Sequence, residues 1–141
     1  MEQVKADLAL DLWNRLSKAY DRVRKEQMKQ MAQQKLTAPQ FHVLEVLSRR
    51  GPLPLKRISE ELMVTGANIT CVVDNLEKED LVRRVHSKED RRIINAELTE
   101  KGQDKINSIL PEYAKQMAEL TSVLSENEQK ELSNLLERLN K

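Results

Sequence analysis

Ala67, Asn68, Thr70, Cys71 and Asn75 fall within nine consecutive residues, and each is either small or able to exchange hydrogen bonds at short range. An asparagine amide sets a donor beside an acceptor. A threonine hydroxyl donates or accepts while its methyl makes an apolar contact, and an alanine lets a backbone come close. A second group lies just downstream. Arg83, Arg84, Lys88, Arg91 and Arg92 crowd together with His86 among them, opposed only by Glu89 and Asp90. Such a run suits a polyanion, and Asp90 is near enough in sequence to orient the Arg92 guanidinium in advance. Taken singly, the polar helix face reads equally well as solvated surface, and a charge run is usually solvated surface. What decides between these readings is the set of elements that carry the residues.

Those elements can be traced from their apolar spacing. Val4, Leu8, Leu12, Leu16, Tyr20 and Val23 predict a long first helix to about Met31, with Ala32–Lys35 as a connection. Thr37-Ala38-Pro39-Gln40 has the pattern of a capping box, and Leu36 and Phe41 that of a hydrophobic staple. Gly51-Pro52 ends the second helix. Leu55, Ile58 and Leu62 mark a third helix after a short extended piece, Leu53-Pro54. Thr65 caps a fourth, whose inward side is Ile69, Val72, Val73 and Leu76. Only Met63-Val64-Thr65 separates these two helices, as in a helix-turn-helix.

On a helical wheel Ala67, Cys71, Asp74 and Lys78 point away from that apolar side, with Asn68, Thr70 and Asn75 flanking them. The period then changes to two. Leu81–Val85 and Ile93–Leu98 read as strands around the polar tip His86–Arg91, a β-hairpin wing. Thr99 caps a long helix with a bend expected at Pro111. Ser125-Glu126-Asn127-Glu128 is a second capping box that opens a last helix.

A small polar helix face followed by a basic hairpin matches double-stranded DNA. The helix fits a major groove, where asparagine pairs with adenine and threonine meets a thymine methyl. The wing arginines fit the deepened negative potential of a narrow minor groove. The candidate DNA-binding residues are therefore Thr65, Ala67, Asn68, Thr70, Cys71, Asn75, Arg84, Lys88, Asp90, Arg91 and Arg92.

Composition narrows the alternatives. The net charge of +1 excludes a generic polyanion binder and requires local segregation of charge. No apolar run has the length of a membrane span, and charges from Glu2 onward leave no secretory h-region. Cys71 is the single cysteine, so no internal disulfide can form, which suits a reducing cytoplasm. There is no phosphate loop or nucleophile elbow, and His42 and His86 have no metal-ligand spacing, so no enzyme, cofactor or metal is expected.

The stretch Leu36–Gly102 resembles the MarR family of bacterial regulators, and the flanking helices match that family's arrangement. The resemblance is carried by Asn68-Ile69-Thr70-Cys71-Val72-Val73-Asp74-Asn75-Leu76-Glu77, by Asp90-Arg91-Arg92, and by Leu98-Thr99-Glu100-Lys101-Gly102. It implies a homodimer interlocked through its first and last helices, and an Arg92 that enters the minor groove. It further implies a repressor released by a small molecule or an oxidant. Cys71 stands where the family often has arginine, and Asp80 where it usually has glycine.

The expected architecture is mainly α with a small β-hairpin wing. Residues 34–100 form the winged helix-turn-helix lobe that binds DNA, and residues 1–33 with 101–141 form a helical dimerisation lobe. Trp13, Tyr20, His42 and Tyr113 are candidate lining for a small aromatic effector, although such a stripe is more often core or dimer seam. Cys71 is either an inert side chain that fits the groove or a redox-sensitive thiol. The rival function is a winged-helix module for protein–protein assembly without DNA readout, and a steep salt dependence of duplex binding separates the two.

Overall fold

In a computed structural model that describes residues 1–141, Thr37 opens a helix as its sequence requires. Its hydroxyl accepts from the Gln40 N–H, and the Gln40 side chain accepts from the Thr37 N–H. The element order is α1 (Glu2–Gln33), α2 (Ala38–Arg50), β1 (Leu53–Pro54), α3 (Leu55–Leu62), α4 (Gly66–Lys78), β2 (Val82–His86), β3 (Ile94–Leu98), α5 (Glu100–Thr121) and α6 (Glu126–Leu139). The fold is mainly α with a small antiparallel sheet. Two compact units are distinct, Met1–Ile109 and Leu110–Lys141, the division falling inside α5.

The first unit is built around α2, which buries Phe41, Val43, Leu44, Val46 and Leu47 and so is covered on more than one face. Ile58 from α3, Ile69, Val72, Val73 and Leu76 from α4, and Ile106 and Ile109 from α5 join it in the core, with Met31, Leu36, Leu81, Val82 and Ala96. The apolar side of α4 read from its spacing is thus the side that packs, which turns Ala67, Asn68, Thr70, Cys71, Asp74 and Asn75 outward.

Three helices of this unit stop in the same way. Lys35, Met63 and Asp80 adopt left-handed conformations (φ 59°, 57° and 61°). In each case the next residue donates its N–H back to a carbonyl five residues earlier: Leu36 to Met31, Val64 to Ser59 and Leu81 to Leu76. This is the Schellman ending, and at two of the three ends apolar partners, Met31 with Leu36 and Leu76 with Leu81, are buried together. None of the three left-handed residues is glycine. Asp80 tolerates the geometry through its short polar side chain. Met63 has no such compensation and is 91% exposed. Met63→Gly is therefore expected to raise stability by about 0.5–1 kcal/mol, because it relieves left-handed strain and removes no packing. A denaturant midpoint that falls on this substitution would show that the methionine side chain holds the turn.

The sheet has three strands in the order β1-β3-β2. The hairpin pairs Val82 with Leu98 through to His86 with Ile94. Leu53 and Pro54 add an edge opposite Ala96 and Asn95, a third strand beyond the expected hairpin. Two further boundaries shift. Leu81 belongs to the helix ending rather than the strand, and the Ile93 N–H closes the wing tip on the Asp90 carbonyl.

At the base of the wing, Thr99 clamps the chain. Its N–H donates to the Leu81 carbonyl, its hydroxyl donates to the Asp80 carbonyl at 2.6 Å, and the same oxygen accepts the Gly102 N–H at 3.0 Å. Lys101 Nζ donates to the Glu79 carbonyl at 2.9 Å, satisfying an end of α4.

In the second unit Ser125 and Glu128 form the expected capping box. Gln129 Nε2 donates to the Thr121 and Leu124 carbonyls, tying α6 to the end of α5. Pro111 lies within α5, whose helical span runs on to Thr121.

Candidate nucleic-acid interface

Thr65 starts α4, its hydroxyl accepting the Asn68 N–H at 3.1 Å. The side-chain cap thus satisfies one of the N–H groups at the helix N-terminus, and the Asn68 amide side chain is left exposed. Thr70 Oγ1 donates to the Gly66 carbonyl at 2.9 Å. That bond engages its only hydroxyl proton, so Thr70 presents outward its methyl and oxygen lone pairs, fit for a thymine methyl or an exocyclic amine. Ala67, Cys71 and Asn75 are exposed along the same helix.

The wing tip is ordered by its own side chains. The Ser87 hydroxyl accepts from the Glu89 and Asp90 amides, and His86 Nδ1 donates to the Arg91 carbonyl at 2.9 Å. Asp90 meets Arg92 as a fork: Nε to Oδ1 at 3.1 Å and Nη2 to Oδ2 at 3.0 Å, with the Arg92 N–H on Oδ1 as well. The Arg92 side chain nonetheless stays 90% exposed. It is held from behind and offered to solvent. The guanidinium, followed by the Arg92 backbone N–H, keeps the Asp90 carboxyl below its usual range. A carboxyl pKa lowered on folding means the fork is fully formed above the ordinary carboxylate range and is lost only as pH falls through the lowered value. Lys88 and Arg91 are exposed beside it.

Arg84 is placed differently from the other wing cations. Its Nη1 reaches Glu77 Oε1 and its Nη2 reaches Asp74 Oδ1, both at 2.6 Å, and its backbone N–H donates to Glu77 Oε2. It lies between β2 and α4, one quarter exposed, rather than at the tip. Residue spacing did not single out Asp74 and Glu77 as its partners. The available signal was a pair of carboxylates three apart on the last turns of a helix, followed by a strand arginine.

The candidate effector residues are dispersed along the chain. Trp13 and Tyr20 lie on α1 and are 66% and 61% exposed. His42 is half-buried on α2, its ring 5.6 Å from that of Phe41, and burial pushes its pKa down. Tyr113 is half-buried in the second unit. No three His, Cys, Asp or Glu side chains are grouped to hold a metal, and no helix is long and apolar enough to cross a membrane.

Residues 36–94 match the model of the MarR family. The chain is 37% identical over 131 residues to the HTH-type transcriptional regulator MhqR of Bacillus subtilis (strain 168), covering 93% of this chain and 90% of that one. Among solved structures it is similar to the transcriptional regulator BldR from Sulfolobus solfataricus, with 30% identity and a TM-score of 0.84, covering 96% of this chain and 97% of that one. It is also similar to Bordetella bronchiseptica BpsR, whose DNA binding is regulated by 6-hydroxynicotinic acid, with 26% identity, a TM-score of 0.81 and 91% of each chain covered. An outward polar helix, an ordered basic wing and these likenesses converge: the chain belongs to the MarR family of winged helix-turn-helix regulators and acts in transcription regulation by binding DNA.

Proposed function

We propose that two copies of this chain occupy a pseudo-palindromic operator and repress transcription from it, and that a small aromatic molecule releases them. The observation that carries the DNA reading is Arg92, fixed from behind by Asp90 yet 90% exposed. In the proposed complex α4 lies in the major groove with Ala67, Asn68, Thr70, Cys71 and Asn75 toward the bases. Arg92 enters the adjoining minor groove, with Lys88 and Arg91 on phosphates.

The homodimer is supported by apolar side chains left in water. On α1, Val4, Leu8, Leu12, Trp13 and Tyr20 are each more than half exposed. On α6, Leu132, Leu135 and Leu139 are 45%, 49% and 58% exposed. Surfaces of this kind mark association sites, and a twofold arrangement sets two recognition helices about 34–36 Å apart, one turn of duplex. Residues 1–33 with 101–141 are the proposed dimerisation lobe, and residues 34–100 the DNA-binding lobe.

An effector of the hydroxylated aromatic class fits the likeness to BpsR. Such a molecule acts only through unequal affinity for the shapes that fit and misfit the duplex. Repression by occupancy needs nothing beyond DNA binding and self-association, and operates in the cytoplasm where the DNA is.

One experiment tests these points together: selection of bound fragments from a random duplex pool, with and without hydroxylated aromatic acids. The expected result is a sequence with two inverted half-sites centred about one turn apart, bound with a steep salt slope and less tightly once an effector is present. A pool left unenriched would sink the operator reading and favour protein–protein assembly. A single half-site would sink the dimer.

A further inference from the structure

The two acidic residues on α4 pose an electrostatic problem for a helix that lies against DNA. Asp74 is on the outward face, between Cys71 and Lys78, and Glu77 is one turn further along the helix. Both are exposed, at 50% and 41% of their side-chain surface. A free carboxylate in a groove lined by phosphates repels its partner and is desolvated without compensation. Each of these carboxylates is met by one nitrogen of the same guanidinium, Arg84 Nη2 on Asp74 and Nη1 on Glu77. Glu77 also accepts the Arg84 backbone N–H at 3.2 Å, an N–H on the outer edge of the sheet with no strand beyond it.

We propose that Arg84 is a positioning residue for DNA binding rather than a DNA contact: it silences the carboxylates of Asp74 and Glu77 and ties the wing to the recognition helix. The planar fork of arginine holds two carboxylates at once in a fixed geometry, whereas a lysine ammonium meets them only as a compact, freely rotating point charge. With both terminal nitrogens engaged and only a quarter of its side chain exposed, the Arg84 guanidinium is committed to the helix rather than to a phosphate. The hairpin base and the helix then move as one body, so the distance from α4 to Arg92 is set before DNA arrives. This inference rests on the DNA-binding reading of α4 and the wing.

The test is a mutant cycle on the intact chain. The probe is a duplex of about 30 base pairs enriched from a random pool by the unmodified protein, long enough for two half-sites. Arg84→Met is expected to weaken binding about tenfold, because two carboxylates are left unpaired at the interface. In a background already carrying Asp74→Asn and Glu77→Gln, the same Arg84→Met change is expected to cost less than about threefold, since no charge is left to silence. Equal loss in both backgrounds overturns the proposal, as does no loss in either, because a phosphate contact or a purely packing role does not depend on those carboxylates. If Arg84→Met melts below the assay temperature, Arg84→Lys takes its place. It is expected to give an intermediate loss that disappears in the neutralised background, and a loss that persists there overturns the proposal equally. Failure of the unmodified protein to enrich any duplex is a separate outcome, and it overturns the DNA reading on which the proposal rests.

Discussion

Gly102→Ala is expected to lower the unfolding free energy by about 3 kcal/mol or more, near the top of the range for overpacking. A Cβ at this position would stand 2.0 Å from the Leu81 carbonyl oxygen and 2.9 Å from its carbon. Both are backbone atoms, so no rotamer change relieves the clash. Either α5 must lift away from the α4–β2 corner or the corner must bend. Lifting α5 breaks the Thr99 N–H bond to Leu81 and the Thr99 hydroxyl bond to Asp80. Gly66→Ala is the matched control. Nothing lies within 4 Å of its Cβ, so that substitution is expected to add about 0.5 kcal/mol by restricting the unfolded chain. Denaturant titration of the two variants should move the midpoint in opposite directions. A Gly102→Ala midpoint within experimental error of the parent would show that the clamp at Thr99 does not hold α5.

The second large effect is on affinity. Arg92→Ala is expected to cost roughly 1–3 kcal/mol of operator binding per site, and up to about twice that in a dimer. The Asp90 fork has already restricted the guanidinium, so little side-chain entropy remains to be lost on binding. Asp90→Ala should cost less, because it frees the arginine without deleting it. Lys88→Ala should weaken all duplexes alike and flatten the salt slope by about one unit. The fold should survive all three changes, since these side chains sit at an exposed tip. Titration at two salt concentrations, with circular dichroism to monitor folding, gives the answer. A folded Arg92→Ala protein that binds as tightly as its parent would remove the wing from the interface.

Legibility in the sequence followed the range of the interaction. Thr37 with Gln40, Ser125 with Glu128, and Asp90 with Arg92 act over two or three residues, and each is formed as its spacing predicts. The inward face of α4 was legible for the same reason, since Ile69, Val72, Val73 and Leu76 repeat with the helix. The helix stops at Lys35 and Met63 carry no glycine, so the left-handed turn is held by backbone hydrogen bonding rather than by residue type, and at Lys35 also by burial of Met31 with Leu36. β1 is two residues long, too short to show a period, and it exists only because β3 passes beside it. Arg84 was legible as a cation but not as a partner of Asp74 and Glu77, which lie ten and seven residues back across a change from helix to strand. Among the candidate DNA-binding residues, the tip cations Lys88, Arg91 and Arg92 are exposed at the wing, and Ala67, Asn68, Thr70, Cys71 and Asn75 share the outer side of α4.

The two edges of the small sheet bear on how the protein behaves when concentrated. An open strand edge is a template on which another chain can add, the first step toward insoluble aggregates. β1 exposes only two residues, and one of them, Pro54, has no N–H to donate. β2 is longer, but its Arg84 N–H is taken by Glu77 and its neighbours Arg83 and His86 bring charge or polarity to the rim. Neither side offers a continuous ladder to a newcomer. The wing can therefore project from the molecule without seeding sheet-to-sheet growth.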